Sequence, residues 1–497
     1  MSAPRRLRVL LFPILVLNTL LLHAKDNWMS LQTRNFLLVG NTSEGNLRNV
    51  AMKFEQFRDT FSRLFKMPPE PPYPGTVIVF KNESSFRPFK PLYQGKPMNV
   101  GGFYAAGPDV NYIALCLETS NDNPYHVIYH EYVHQLLNGF KVKYPLWLNE
   151  GLAEYYGTFA VTDGDKKVLI GKPIANHILF LRQNKLLPLQ TLFTVDAHSP
   201  FYNEKSKVGV FYAQSWTLVH YLMLGNPQRH KEFIQFLNLQ LTQVPLEESF
   251  RQAFGTDFPT LEKELDRYVQ RLTYPMMEYP FEKKIEFDTS SQSRPLSESE
   301  VQFYLGDLLL HNLRDVEAEE YLKRAIELDP ESSPAHASLG MLYLKQHQLD
   351  KAKESFAKAI HSEKASYLVH YYYAQFLVDD ESRTGSIGGD LSKEKVQTVR
   401  AELKKAISLA PKFPESYALL AYVNLTTGEE LDESIQWVNT AKKLAPGKEK
   451  FDLLLAQLFM RKEDYKAARP ILERLASQPD ETGVDLQAQR FWSISRM

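Results

Sequence analysis

The sequence predicts an α+β domain followed by an all-α solenoid of helical repeats, and three observations predict it. Apolar runs of strand length flank an amphipathic helical stretch in the first part of the chain. Two neighbouring helical segments then carry closely spaced histidines and glutamates. Beyond residue 298, small and apolar residues recur at a shift of thirty-four positions.

The start of the chain reads as an export signal over residues 1–24. Arg5, Arg6 and Arg8 form a basic opening, and Val9 to Leu22 form an apolar run broken by Pro13 and Asn18. That run is short for a membrane span and suits a signal cut after Ala24; the rival reading is an uncleaved anchor. The expected location is therefore exported, periplasmic or secreted. Cys116 is the sole cysteine, which excludes an intrachain disulfide. A net charge of -1 gives no electrostatic case for nucleic acid or an anionic membrane surface.

From residue 25 to 275 the pattern reads as one α+β domain. Phe36 to Gly40 and Thr76 to Phe80 are expected strands, with an amphipathic helix from Asn46 to Phe65 between them. Asn111 to Leu117 is expected as a strand at the edge of a cleft. The glycines at 101 and 102 read as a turn before it. A helix should then begin after Asn123 and Pro124 and end before Gly139. Val208 to Gly225 is apolar most of the way round and should form one long buried helix. Leu246 to Phe254 and Phe258 to Leu272 close the domain.

The chemistry sits on the helix after Asn123. His130 and His134 are four residues apart, so both imidazoles project from one face, with Glu131 beside them. After a connection containing Pro145, Glu150 and Glu154 share one face of the next, otherwise apolar helix. Carboxylates there are costly to bury unless paired or bound to metal. A catalytic zinc takes three protein ligands and one open position, and His130, His134 and Glu150 supply a His₂Glu set. His126 and His220 are read as non-ligands.

These residues resemble the gluzincin metallopeptidases, in which HExxH is followed by a helix bearing Asn-Glu-x-x-x-(Asp/Glu). The stretch from Trp147 to Ala153 is similar to that of the aminopeptidase N type. The resemblance implies one zinc ion (Zn2+) per chain on His130, His134 and Glu150, Glu131 as general base, and Glu154 as the hydrogen-bond partner of a ligand imidazole. It also implies Tyr212 as donor to the oxyanion. The connection from His134 to Glu150 is shorter than in the aminopeptidases. The Met-Glu-Asn that would hold a free amino terminus is missing after Gly101, so aminopeptidase specificity is not expected.

Residues 276–297, rich in Pro, Ser, Glu and Lys without periodicity, read as a linker. From 298 to 480 the pattern resembles tetratricopeptide repeats, four to five in number. Leu305, Gly306, Ala318, Leu322 and Ala325 are echoed by Leu339, Gly340, Ala352, Phe356 and Ala359. Degenerate copies follow at Ala374, Ala406 and Pro411, then Ala421, Ala441 and Pro446, then Ala456, Ala468 and Pro479. An insertion lies around Asp379 to Asp390, and 481–497 form a tail. The expected whole is a gluzincin-like metallopeptidase domain joined to a tetratricopeptide solenoid. Its partners would be a peptide or protein substrate and a protein bound by the repeats. The alternative is a non-catalytic repeat scaffold with a structural zinc domain.

Overall fold

The computed structural model describes residues 27–65, 73, 75–98, 100–107, 109–118, 125–138, 144–162, 164, 166–196, 199–203, 205–242, 244–281, 292–383, 392–476, 484, 487–489 and 491. The expected signal and the helix boundaries at Asn123, Pro124 and Gly139 lie outside them.

The chain opens with β1 (Met29–Gln32), β2 (Phe36–Gly40), α1 (Glu44–Phe65) and β3 (Gly75–Phe80). A short helix α2 (Glu83–Phe86) and a small hairpin, β4 (Leu92–Tyr93) and β5 (Lys96–Pro97), lead to β6 (Gly102–Ala106) and β7 (Asn111–Cys116). Helices α3 (Tyr125–Asn138) and α4 (Leu146–Gly157) precede β8 (Ala160–Thr162) and β9 (Lys167–Ile170). Seven helices follow: α5 (Ala175–Gln183), α6 (Leu189–Phe193), α7 (Pro200–Asn203), α8 (Lys205–His220), α9 (Pro227–Leu241), α10 (Leu246–Phe254) and α11 (Phe258–Val269). The expected single helix from Val208 to Gly225 ends its α-helical course at His220 and widens into a π turn over Tyr221–Gly225.

Among the described residues, six strands make the main sheet, in the order β11 (Ser293–Pro295), β1, β2, β3, β7, β6. β3 runs parallel to β2 and to β7, and β6 is antiparallel to β7. Two expectations change here. Asn111–Cys116 is not the cleft edge: it is buried along its whole length between β3 and β6, as the apolar run from Tyr112 to Cys116 should be. The edge is β6, in the stretch whose glycines read as a turn. Residues 276–297 are not a free linker either. Met277–Pro280 forms β10 against β9, and Ser293–Pro295 forms β11 against β1.

The period-two alternation of β3 and β7 divides their side chains between two cores. Val77, Val79, Ile113 and Leu115 face one side, with Leu47, Val50, Phe54 and Phe57 of α1 and Tyr129, Tyr132, Val133 and Leu136 of α3. Ile78, Phe80, Tyr112, Ala114 and Cys116 face the other. That second face is covered by Val301, Leu305, Leu308 and Leu309, a single stripe of the first repeat helix α12 (Glu298–His311). The first repeat is thus a layer of the sheet domain.

Among the described residues, five helix pairs follow. α12 pairs with α13 (Asp315–Leu328), α14 (Ser333–Lys345) with α15 (Leu349–Ile360), and α16 (Tyr367–Arg383) with α17 (Lys393–Leu409). α18 (Pro414–Thr427) pairs with α19 (Leu431–Leu444), and α20 (Glu449–Arg461) with α21 (Tyr465–Ala476). The thirty-four-residue shift is visible in hydrogen bonds: Ser299 Oγ donates to Ala325 O at 2.9 Å, and Ser333 Oγ to Ala359 O at 2.8 Å. A Cβ on Gly306 would lie 2.9 Å from Leu322 Cγ, and one on Gly340 2.9 Å from the Phe356 ring, so close pairing requires a small residue there. The expected insertion begins inside α16, and residues 384–391 lie outside the described ones. In the tail, Val484 and Ala488 are buried against the last pair.

The junction between sheet and repeats also carries buried polar contacts. Tyr112 Oη donates to Asp307 Oδ2 at 2.5 Å, Ser338 Oγ to Asp307 Oδ1 at 2.6 Å, and Tyr372 Oη to Asp109. His311 Nε2 lies 3.1 Å from Asp109 Oδ1. Farther along, Tyr73, 7% exposed, donates to Glu415 Oε1 at 2.8 Å.

Removing the repeats strips a face of the sheet. Burying each aliphatic side chain of that stripe contributes on the order of 1.5–3 kcal/mol. A chain ending at residue 297 should aggregate or lose cooperative unfolding; a soluble monomer melting at the full-length temperature would contradict the layered architecture. Burial opposes a charged His311, but Asp307 and Asp109 override it and hold its pKa at about 9. A raised histidine contributes stability that is complete below its unfolded pKa of about 6.5 and lost as pH rises through about 9. The unfolding temperature should therefore fall between about pH 6.5 and pH 9, and His311→Gln should flatten that slope relative to wild type; equal slopes would remove the linkage.

Candidate metal centre

Helix α3 has two stripes. Tyr129, Tyr132, Val133 and Leu136 press on the sheet and α1, with Phe57 stacked on Tyr129 at 4.7 Å. His126, His130 and His134, each one turn from the next, face away from that core. Helix α4 meets this second stripe and crosses α8 on its other side. The crossing depends on Gly151, where a Cβ would stand 2.6 Å from Ser215 O and 2.6 Å from Val219 Cγ2.

Three ligand-type atoms converge between α3 and α4. His130 Nε2 is 3.0 Å from His134 Nε2 and 3.2 Å from Glu150 Oε2, and His134 Nε2 is 3.5 Å from Glu150 Oε2. Tetrahedral zinc with bonds near 2.1 Å separates its ligand atoms by about 3.4 Å, so the triangle fits within a few tenths of an ångström. Glu150 is 3% exposed, and its Oε2 has no hydrogen-bond partner. An orphaned buried carboxylate oxygen facing two imidazole nitrogens suits a cation. Burial acts to raise the Glu150 carboxyl, but the two histidines hold it down at about 2.

The outer nitrogens of both histidines are engaged. His130 Nδ1 lies 3.3 Å from Glu154 Oε1, and His134 Nδ1 lies 3.3 Å from Asn149 Oδ1. Both oxygens are acceptors, so each Nδ1 carries a proton and each Nε2 is the nitrogen turned to the triangle. Glu154 stands where the sequence put it, against a candidate ligand imidazole. It also receives His126 Nε2 at 2.9 Å and His177 Nε2 at 3.1 Å, both on Oε2. Burial would raise its carboxyl; these donors hold it well below the carboxylate range.

Glu131 projects beside the triangle towards β6, where the Tyr104 backbone N–H donates to its carboxylate. Burial lifts the Glu131 carboxyl above its ordinary range, partly offset by His130 and His134. Tyr212 lies with its ring 6.3 Å from that of His130. Sequence reasoning missed its neighbour Tyr202, which donates to Glu150 Oε1 at 3.2 Å and is hydrogen-bonded to Tyr212. It missed His177 as well. Both sit on short helices, α7 and α5, with no spacing relation to the motif. His220 is a fully buried core histidine, bonded at 2.8 Å to Tyr268 Oη and at 2.8 Å to Gly171 O.

The family described as "Protein of unknown function (DUF1570)" matches residues 125–247, a span that holds every candidate site residue above. Residues 321–354 match the tetratricopeptide repeat. The helical repeats of that span are thus of that type, and the pairs around it are built in the same way. No curated protein matches the chain. Among solved structures, the chain is similar to YrrB, a TPR protein with an unusual peptide-binding site, at 19% identity over 38% of this chain and 90% of that one, with a TM-score of 0.30. It is similar to pilF of Pseudomonas aeruginosa at 20% identity over 38% and 81%, with a TM-score of 0.32.

Adding one methyl group at the α4–α8 crossing should disturb the centre's scaffold. Gly151→Ala is expected to lower stability by about 1–3 kcal/mol in urea unfolding. Unchanged stability would mean that the two helices separate freely.

Proposed function

We propose that this protein is an exported zinc metallopeptidase that hydrolyses peptide bonds, with repeats that also bind a protein partner. The carrying observation is the triangle of His130 Nε2, His134 Nε2 and the orphaned Glu150 Oε2 with Glu131 alongside. A zinc ion on these residues would supply a Lewis acid and bring a water it holds to a pKa of about 7.

The chain's own groups would do the remaining work. Glu131, with its raised carboxyl, would take a proton from the attacking water and give it to the leaving amine. Burial, then the charge of Glu150, keeps the Tyr212 hydroxyl protonated far above neutral pH, and Tyr202 is pushed up to about 12. Either phenol can therefore donate to an oxyanion, a contribution of about 3 kcal/mol for one donor. Strand β6, at the sheet edge and bonded to Glu131, offers backbone to which an extended substrate could add.

A second reading, the non-catalytic scaffold, draws on the junction. The repeats bury the sheet whether or not Glu131 moves a proton, and their first helices are partly committed to that task. Metal content of the purified mature protein separates the two, alongside cleavage of a mixed peptide library followed by mass spectrometry. One zinc per chain is expected. Glu131→Gln should keep it while cleavage falls by about 10²–10⁴-fold, and His134→Ala should lose both. Full cleavage by Glu131→Gln would sink the mechanism; absence of zinc would transfer the function to the repeats.

A further inference from the structure

We infer that His126 and His177 are positioning residues of the metal centre, acting on His130 through Glu154. The inference rests on the zinc reading of His130, His134 and Glu150.

Three histidines converge on one carboxylate. Glu154 Oε1 accepts from His130 Nδ1 at 3.3 Å, while Oε2 accepts from His126 Nε2 at 2.9 Å and His177 Nε2 at 3.1 Å. The three donors arrive from different directions. His126 lies one turn before His130 on α3, and its ring rests against bare backbone: a Cβ on Gly157 would be 3.0 Å from His126 Cε1. His177 comes from α5, its ring 5.9 Å from that of Trp216 on α8, the helix that also packs against α4. A carboxylate gripped on both oxygens from two elements cannot turn about its side-chain bonds without losing a contact. Glu154 is 8% exposed, so its charge depends on these donors. With Oε2 engaged, Oε1 stays aimed at His130 Nδ1, and that bond fixes the ring and its tautomer.

The pattern around Glu154 differs from that around Glu150. In the first site two Nε2 atoms lie 3.0 Å apart, while the Nδ1 of each ring faces an acceptor. Glu150 Oε2 beside them lacks a hydrogen bond, so a cation would answer all three atoms at once. Around Glu154 the three contacts each run from an imidazole nitrogen to a carboxylate oxygen, which hydrogen bonds satisfy unaided. His126, His130 and Glu154 could otherwise be read as a second metal set. Using it would require His130 to present both nitrogens to cations.

The test compares His126→Ala, His177→Ala and His177→Gln, the last keeping an N–H donor, with Glu154→Gln as reference. Zinc stoichiometry, zinc affinity against a competing chelator, and the visible spectrum of the cobalt-substituted protein are measured on the full chain. Each alanine variant should hold one zinc about tenfold or more weakly, with a shifted cobalt spectrum, while the apo-protein, less stable by the lost donor, still unfolds cooperatively. His177→Gln should recover most of the affinity. Wild-type affinity and spectrum in both alanine variants would overturn the positioning role alone. A second zinc in the wild type, lost from those variants, would overturn it in favour of a two-metal site. Zinc binding indifferent to Glu150→Gln would instead remove the reading on which the inference rests.

Discussion

The central constraint is that β3 and β7 are buried on both faces. A strand with apolar side chains pointing both ways exposes one hydrophobic surface unless two separate layers close over it. On one side the layer is α1 and α3, and seating α3 there turns its histidine stripe away from the sheet towards α4. On the other side the layer is α12, the first helix of the repeats. Active-site candidate and repeat array are thus anchored to opposite faces of the same two strands. Strand β11, which pairs with β1 just before α12, holds the approach to that helix in the same sheet.

The same packing governs the centre's electrostatics. α4 reaches α3 closely because Gly151 lets it sink onto α8, and this places two carboxylates, 3% and 8% exposed, against the histidines. Neither carboxylate would be tolerated there as an isolated charge. Glu154 is answered by three N–H donors. Glu150 has one oxygen held by Tyr202 and the other left facing two nitrogens without a hydrogen bond. Within one helix, two glutamates four residues apart carry different demands.

Local pattern made the motif legible. His130, Glu131 and His134 are related by helical spacing, as are Glu150 and Glu154, and the structure brings the two sets together between two packed helices. The thirty-four-residue shift was equally readable, because the repeat places the same small residue at the same close contact in successive pairs. What spacing cannot encode is what a distant element contributes. His177 and Tyr202 reach the centre from α5 and α7, and only the tertiary fold brings them to Glu154 and Glu150. The role of β7 was obscured for a related reason: its apolar run suits a central strand, but its neighbour β6, with two glycines, has a weak strand pattern of its own. Composition also concealed the strand at Ser293–Pro295, whose pairing is set by β1 and not by its side chains.

The junction bears on how the two modules could communicate. Asp109 and Tyr112 stand at the entry to β7, and both are bonded to residues of the first-helix layer, Tyr372 and Asp307. β7 is paired along its length with β6, and β6 supplies the backbone N–H that holds Glu131. A contiguous hydrogen-bonded path therefore runs from the repeats through two strands to the proposed general base. Physical continuity alone does not make a switch, since coupling requires an element with two arrangements that both ends bias. In this structure the path is built of buried, mutually satisfied groups, which favours one arrangement over two. It is better suited to holding the edge strand in place than to signalling, and that is what the proposed base would require.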